Sequence, residues 1–134
     1  MALEISTRER EGIVMLDMKG RLIAGADVGT FRSAFEAAAA KADARIIVNL
    51  QHVDYIDSTG LGALVMCSTR TKNTGGIAKL LNLNRRNVEL LVLTKLDTIF
   101  EVFDDEIDAV NSFFPDREIK RFDILSFVRK MKEE

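Results

Sequence analysis

The segment Ile46-Ile47-Val48-Asn49-Leu50 constrains this chain more than any other. Its apolar residues run together instead of alternating, so a strand here is covered on both faces. Strands of that kind occupy the middle of an α/β sheet, where crossover helices supply the cover. A polar turn follows, Asp57-Ser58-Thr59-Gly60-Leu61-Gly62, and then a second apolar run, Leu64-Val65-Met66-Cys67. A strand that feeds through such a turn into a helix points free backbone N–H groups at one place.

The remaining segments fit around this unit. Leu3–Arg8 and Ile13–Met18 flank Glu9-Arg10-Glu11-Gly12, which suits an antiparallel hairpin. In the second run Val14, Leu16 and Met18 alternate with Met15, Asp17 and Lys19, so one face is expected to be buried. Gly20 is expected to break the run, with Arg21-Leu22-Ile23 pairing briefly and Ala24–Asp27 forming a loop. Asp27 is a candidate N-cap for a helix to about Ala42, with Phe31, Ala34, Phe35, Ala38 and Ala42 on its inner face.

Arg45–Leu50 is the third strand, and the helix after the polar turn is expected to reach Asn73. Its inner face carries Leu61, Leu64, Val65 and Ser68, and Gly75-Gly76 stops it. Ile77–Leu83 reads as a strand, and Asn84 caps a helix over Arg85–Thr94 with Val88, Leu91 and Val92 inward. Leu96-Asp97 turns the chain into a last strand, Thr98–Phe103. Asp104-Asp105 then opens a helix with Ile107, Val110 and Phe114 inward, closed by Pro115.

The tail is distinct. Asp116–Arg121 is mostly charged, and from a candidate cap at Asp123 an amphipathic helix carries Ile124, Phe127, Val128 and Met131 on one face. The expected architecture is a single α/β domain over residues 1–114. It has a mixed sheet of about four to five strands and about four helices mainly on one side. Residues 115–134 are expected to form a C-terminal extension with an extra helix.

Composition narrows the function. The 134 residues are 47% hydrophobic and 30% charged, with a formal net charge of −2. That describes a globular chain without the basic stripe of a nucleic-acid-binding surface. No apolar run approaches the ~18 residues of a membrane helix, and Met1-Ala2-Leu3-Glu4-Ile5 reads as a strand start, not a signal peptide. The single cysteine, Cys67, excludes an internal disulfide and suits a reducing, cytoplasmic setting. Cys67 reads as a small core residue.

Enzymatic chemistry finds little support. The turn lacks the Gly-x-x-x-x-Gly-Lys pattern of a phosphate loop and the Gly-x-Ser-x-Gly pattern of a hydrolase elbow. The only histidine, His52, is expected in a surface turn at the strand end. Asp104, Asp105, Glu106 and Asp108 occupy a helix start, where acids are favoured without any metal. No metal site or cofactor is expected.

The turn itself supports two readings. Asp, Ser and Thr at a helix start cap it, worth about 1 kcal/mol against Ala. The same geometry exposes a hydroxyl where negative charge is favoured by about 0.3–1 kcal/mol. A phosphate on Ser58 would suit the fold while adding about −1.5 to −2 charge to the surface. If that surface binds a partner, a penalty of about 2–4 kcal/mol would weaken binding about 30- to 1000-fold. Asp57 would add to the repulsion and help orient the Ser58 hydroxyl.

Val53-Asp54-Tyr55-Ile56-Asp57-Ser58-Thr59-Gly60-Leu61-Gly62-Ala63-Leu64 resembles the signature of STAS domains, in particular the bacterial anti-sigma factor antagonists. The strand Arg45–Leu50, the stretch Asn73–Leu83, and Val88–Leu96 with Ile99–Val102 resemble the family's flanking elements in the same order. The resemblance covers about Leu3–Phe114. It implies a protein that captures an anti-sigma factor, itself a serine kinase of the histidine-kinase-like ATPase fold, and so frees a sigma factor. Phosphorylation of the serine after the motif aspartate ends the complex, and a serine phosphatase resets it. The implied acceptor is Ser58, with Asp57, Thr59, Gly60 and Leu61 in the binding surface. Gly25 and Asp27 join it from the Ala24–Gly29 loop, and Thr59 is an alternative cap. The resemblance also allows a docking subunit of a larger transport or stress-signalling assembly, without control by phosphate. The chain departs from the family at Gly20-Arg21-Leu22-Ile23, where many members carry an acid and an aspartate, and in its tail. That tail is a candidate surface for a homodimer or another partner.

Overall fold

A computed structural model describes residues 2–119 and 124–133, with side chains through 130. Strand β1 (Glu4–Arg10) turns at Glu11-Gly12 into β2 (Ile13–Leu22) as an antiparallel hairpin. Helix α1 (Ala26–Ala38) leads to β3 (Arg45–Ile56), α2 (Ser58–Asn73), β4 (Ile77–Leu81) and α3 (Arg85–Leu93). A 3-10 turn at Leu96–Thr98 precedes β5 (Val102–Phe103), α4 (Glu106–Asn111) and α5 (Ile124–Glu133). The sheet order is β1-β2-β3-β4-β5, parallel from β2 onward, so the expected mixed sheet is present.

Period-two alternation along β2 and β3 separates two cores. Leu16, Met18, Ile46, Val48 and Leu50 face a larger core with Phe31 and Phe35 of α1, Leu61 and Leu64 of α2, and Leu91 of α3. Ile13, Met15 and Ile47 face a smaller core closed by Ala109 and Val110 of α4. Ile46, Ile47, Val48 and Leu50 are all fully buried, as their continuous run requires. The expectation of one buried face on β2 is corrected, because α4 covers the second face at Ile13 and Met15.

Several boundaries differ from the sequence reading, each for a tertiary reason. Gly20 does not end β2. The strand passes through it at φ 115° with a shift of register, and a Cβ there would lie 2.8 Å from the Ala2 carbonyl. Helix α1 ends at Ala38, not Ala42, because the chain must turn back into β3. Asp43, at φ 59°, donates its N–H to the Thr74 carbonyl at 3.1 Å. Strand β3 runs six residues past Leu50 because β2 pairs with it as far as Leu22↔Ile56. His52 therefore lies within a strand, not in a turn.

The expected strand Thr98–Phe103 shrinks to two residues on the sheet edge. Helix α4 ends at Asn111, before Pro115, and Ile107 is 57% exposed instead of inward. Phe113, Phe114 and Ile119 pack on the smaller core beyond it. Ile124 of α5 packs against the larger core. Phe127 lines a cavity of about 180 Å³ with Leu83, Val102, Phe103 and Asp104, while Leu125 stays exposed. The expected Asp123 cap and the Met131 side chain lie outside the described residues.

Candidate functional site

The site is built on Asp57, which caps α2 from an extended backbone. Its Oδ1 accepts the Gly60 N–H at 2.7 Å, and its Oδ2 accepts the Ala24 N–H at 2.9 Å. Its own N–H donates to the Leu22 carbonyl at 3.2 Å. One carboxylate thus serves the helix start and the β2–α1 loop together. The N–H groups of Ala24 and then Gly60 hold the Asp57 carboxyl below the usual carboxylate range. The physical cause is charge-assisted hydrogen bonding to the ionised form.

Gly60 explains how closely these segments approach. A Cβ at this position would lie far inside van der Waals contact with the Leu22 carbonyl oxygen and 2.9 Å from its carbon. The first turn of α2 therefore rests directly on the end of β2. Leu61 is buried beneath it at 5% exposure, so its side chain belongs to the core and supports the surface from below. Gly62 is exposed.

Ser58 and Thr59 are both exposed on the first turn. The Ser58 hydroxyl makes no hydrogen bond to any described residue. Capping falls to Asp57, not to Thr59, which leaves both hydroxyls outside the helix-terminating hydrogen bonds.

The loop residues divide. Gly25 is the residue before α1, at φ 100°, and is exposed beside Ala24. The chain enters the helix at Ala26, so Asp27 is already in the first turn and is not the N-cap. Its carboxylate instead accepts the Leu3 N–H at 3.0 Å, tying β1 to α1. The structure brings Gly25 beside the Asp57 turn through Ala24 and commits the Asp27 carboxylate elsewhere.

Other candidate residues are accounted for by their contacts. His52 sits four residues before the end of β3, so about 13 Å of strand separates it from the turn. Cys67 is buried, and burial pushes its thiol up, away from a reactive thiolate. Asp105 caps α4 by accepting the Ile107 and Asp108 N–H groups at 2.7 and 3.2 Å. Glu106 binds Arg8 and Arg10.

Two features were not read from the sequence. Asn84 caps α3 as expected, but its side chain also donates to the carbonyls of Val53 and Asp54 at 3.2 and 3.1 Å. Buried Asn87 adds a donation to the Val53 carbonyl at 3.1 Å. This amide clamp fixes β3 just before the Asp57–Gly62 turn. The second feature is Tyr55, 41% exposed with the Arg86 guanidinium 5.8 Å from its ring centroid.

The STAS domain family matches residues 4–109, which is most of the chain, in agreement with the mixed sheet and the Asp57–Gly62 turn. The chain belongs to the STAS domain family. Among its relatives, the anti-sigma-B factor antagonist of Bacillus subtilis (strain 168) is 29% identical over 102 residues. That alignment spans 76% of this chain and 92% of the relative. A solved Thermotoga maritima protein, described as a candidate anti-sigma factor antagonist, superposes with a TM-score of 0.75 at 25% identity. It covers 81% of this chain and 92% of its own. The Bacillus cell fate determinant SpoIIAA in its phosphorylated form shares the fold, with a TM-score of 0.63 and 18% identity. That match covers 82% of this chain and 99% of the other.

Proposed function

We propose that this chain is an anti-sigma factor antagonist whose binding is switched off by phosphorylation of Ser58. Unphosphorylated, it captures an anti-sigma factor that is also a serine kinase, and a sigma factor is released. A serine phosphatase restores the binding form. It acts as a regulatory binding protein in the cytoplasm, and Ser58 is a substrate for the partner's chemistry. Asp57, Ser58, Thr59 and Gly25 contribute to the surface, with Gly60 and Leu61 supporting it from beneath.

One observation carries this reading: the Ser58 hydroxyl is exposed at the start of α2 while Asp57 does the capping. Phosphate can be added without removing a structural hydrogen bond, and the helix N-terminus favours its charge. The fold stays the same, and the surface gains a dianion beside an acid whose carboxyl is held ionised. The named relatives support the partner class, and the phosphorylated SpoIIAA fold supports the modification.

The test pairs the purified chain with an anti-sigma factor kinase from the same cell and magnesium ATP. Intact mass should rise by one phosphoryl group, mapped to Ser58 and absent in Ser58→Ala. Binding to that kinase should weaken about 30- to 1000-fold in the phosphorylated form. Equal affinity for the two forms, or phosphate on another residue, would overturn the reading.

A further inference from the structure

Tyr55 is the chain's only tyrosine. It stands on the penultimate residue of β3, three positions before Ser58, and is 41% exposed. Two exposed arginines flank it. Arg86, near the start of α3, lies over the ring at 5.8 Å. Arg21, near the end of β2, is the register partner of Tyr55 in the parallel ladder, and register neighbours share a face of the sheet.

Neither arginine forms an ion pair with a described carboxylate. The acids nearest them in sequence pair elsewhere, Glu89 with Arg85 and Asp17 with Arg8, and those beside Tyr55 do not neutralise them either. Asp57 is engaged by the Ala24 and Gly60 N–H groups, and Asp54 forms no ion pair with either arginine. The amides of Asn84 and Asn87 hold the β3 backbone at Val53 and Asp54. The Tyr55 platform is thus anchored beside the turn that carries Ser58.

We propose that Arg21, Tyr55 and Arg86 form an anchor for a carboxylate-bearing segment of the protein partner, next to Ser58. The proposal rests on the reading of Ser58 as a binding switch. Tyrosine and arginine are the side chains that most often dominate interface energetics. A guanidinium held over a ring at cation–π distance keeps its fork free for a carboxylate and loses less freedom on binding. Two cations without carboxylate partners among the described residues, in a chain of net charge −2, suit an acidic peptide segment better than a nucleic-acid backbone, which needs a basic stripe.

The experiment uses the full chain and the kinase that modifies Ser58, with titration calorimetry at low and high salt. Arg86→Glu and Arg21→Glu are each expected to weaken binding about tenfold or more, with the loss shrinking at high salt. A circular-dichroism melt reports folding, and Arg86→Gln and Arg21→Gln replace any reversal that fails to fold. If the arginine variants bind within about twofold of wild type while Ser58→Asp still binds weakly, the anchor is refuted and the switch stands. If Ser58→Asp also binds as wild type, the failure belongs to the switch. Binding of a single-stranded DNA oligonucleotide as tight as that of the kinase would overturn the acidic-protein assignment.

Discussion

The two ends of β2 carry charge in opposite ways. Near its start, Arg8 pairs with Asp17 at 2.6 Å and with Glu106, while Arg10 also pairs with Glu106. The Asn49 amide donates to Asp17 at 2.8 Å. Close by, buried Lys79 meets Glu101 at 3.1 Å, bonds Ser112 and lies over the Phe113 ring. Every one of these cations works inside the molecule, fastening α4 and its flanks to the sheet. At the other end, Arg21 and Arg86 lack a described carboxylate, and the Ser58 hydroxyl lacks a hydrogen-bond partner among the described residues. Paired groups report what holds the fold, and unpaired ones report what the fold presents. The Asp57 carboxylate combines the two, holding the turn while remaining at its surface.

That contrast breaks first at Gly60. Its missing Cβ lets α2 rest on the Leu22 carbonyl. Gly60→Ala should lower stability by about 3 kcal/mol or more, because the obstructing group is backbone that cannot rotate away. The check is a urea unfolding curve with an earlier midpoint. Unchanged stability would mean that the start of α2 is not wedged against β2, and the exposed turn would lose its rigid support.

Asp57→Ala is next. It removes the acceptor for two N–H groups in separate segments. A cost of about 1–2 kcal/mol follows from capping. The wild-type contribution should be full above the ordinary carboxylate value near 3.8 and fade as pH falls through the lower folded value. Asp57→Ala should remove that portion of the acid dependence. Hydrogen exchange of the Ala24 and Gly60 amides should speed up in the same variant.

Sequence legibility follows the range of the interactions. A side-chain cap at the Asp57-Ser58-Thr59 turn is readable because donor and acceptor lie three residues apart, although Asp57 as its source is not, and the Asn84 cap and the buried Ile46–Leu50 run are readable as well. Asp27 looked like a cap by the same rule, yet Gly25 at φ 100° lets the helix begin sooner, and Leu3 claims the carboxylate from 24 residues away. Lys79 gave no sign of burial, because its partners Ser112, Phe113 and Glu101 arrive only with the fold. The same holds for Arg21, Tyr55 and Arg86, which three separate elements bring together. Local turn chemistry revealed the position of the exposed Ser58 turn, while the surface around it emerged only from strand register and helix placement.

The ion network at the other end sharpens the comparison through pH. Hydrogen bonds from Arg8, then Arg10, hold the Glu106 carboxyl down to about 2 from an ordinary 4.5. Its stabilising effect should be complete above pH 4.5 and disappear as pH falls toward 2. Glu106→Gln should cost about 1 kcal/mol at neutral pH, as screened pairs of this kind do, and flatten the stability profile over that window. Binding of the kinase should be unaffected. A change in kinase affinity with no change in the acid profile would mean that the two ends of β2 are not functionally separate.

The smallest expected effect on stability is the most telling. Ser58→Ala should change the unfolding free energy by less than about 0.5 kcal/mol, the usual range for an exposed substitution away from caps and cores. Alanine also forms helix at least as well as serine, so the sign can be slightly positive. The measurement is a urea or thermal unfolding curve of Ser58→Ala beside Asp57→Ala. If Ser58→Ala costs as much as the cap, the serine is a structural residue, and its place on the first turn is explained without a switch. If stability holds while phosphate incorporation is lost, the hydroxyl serves nothing in the folded chain except the partner that modifies it.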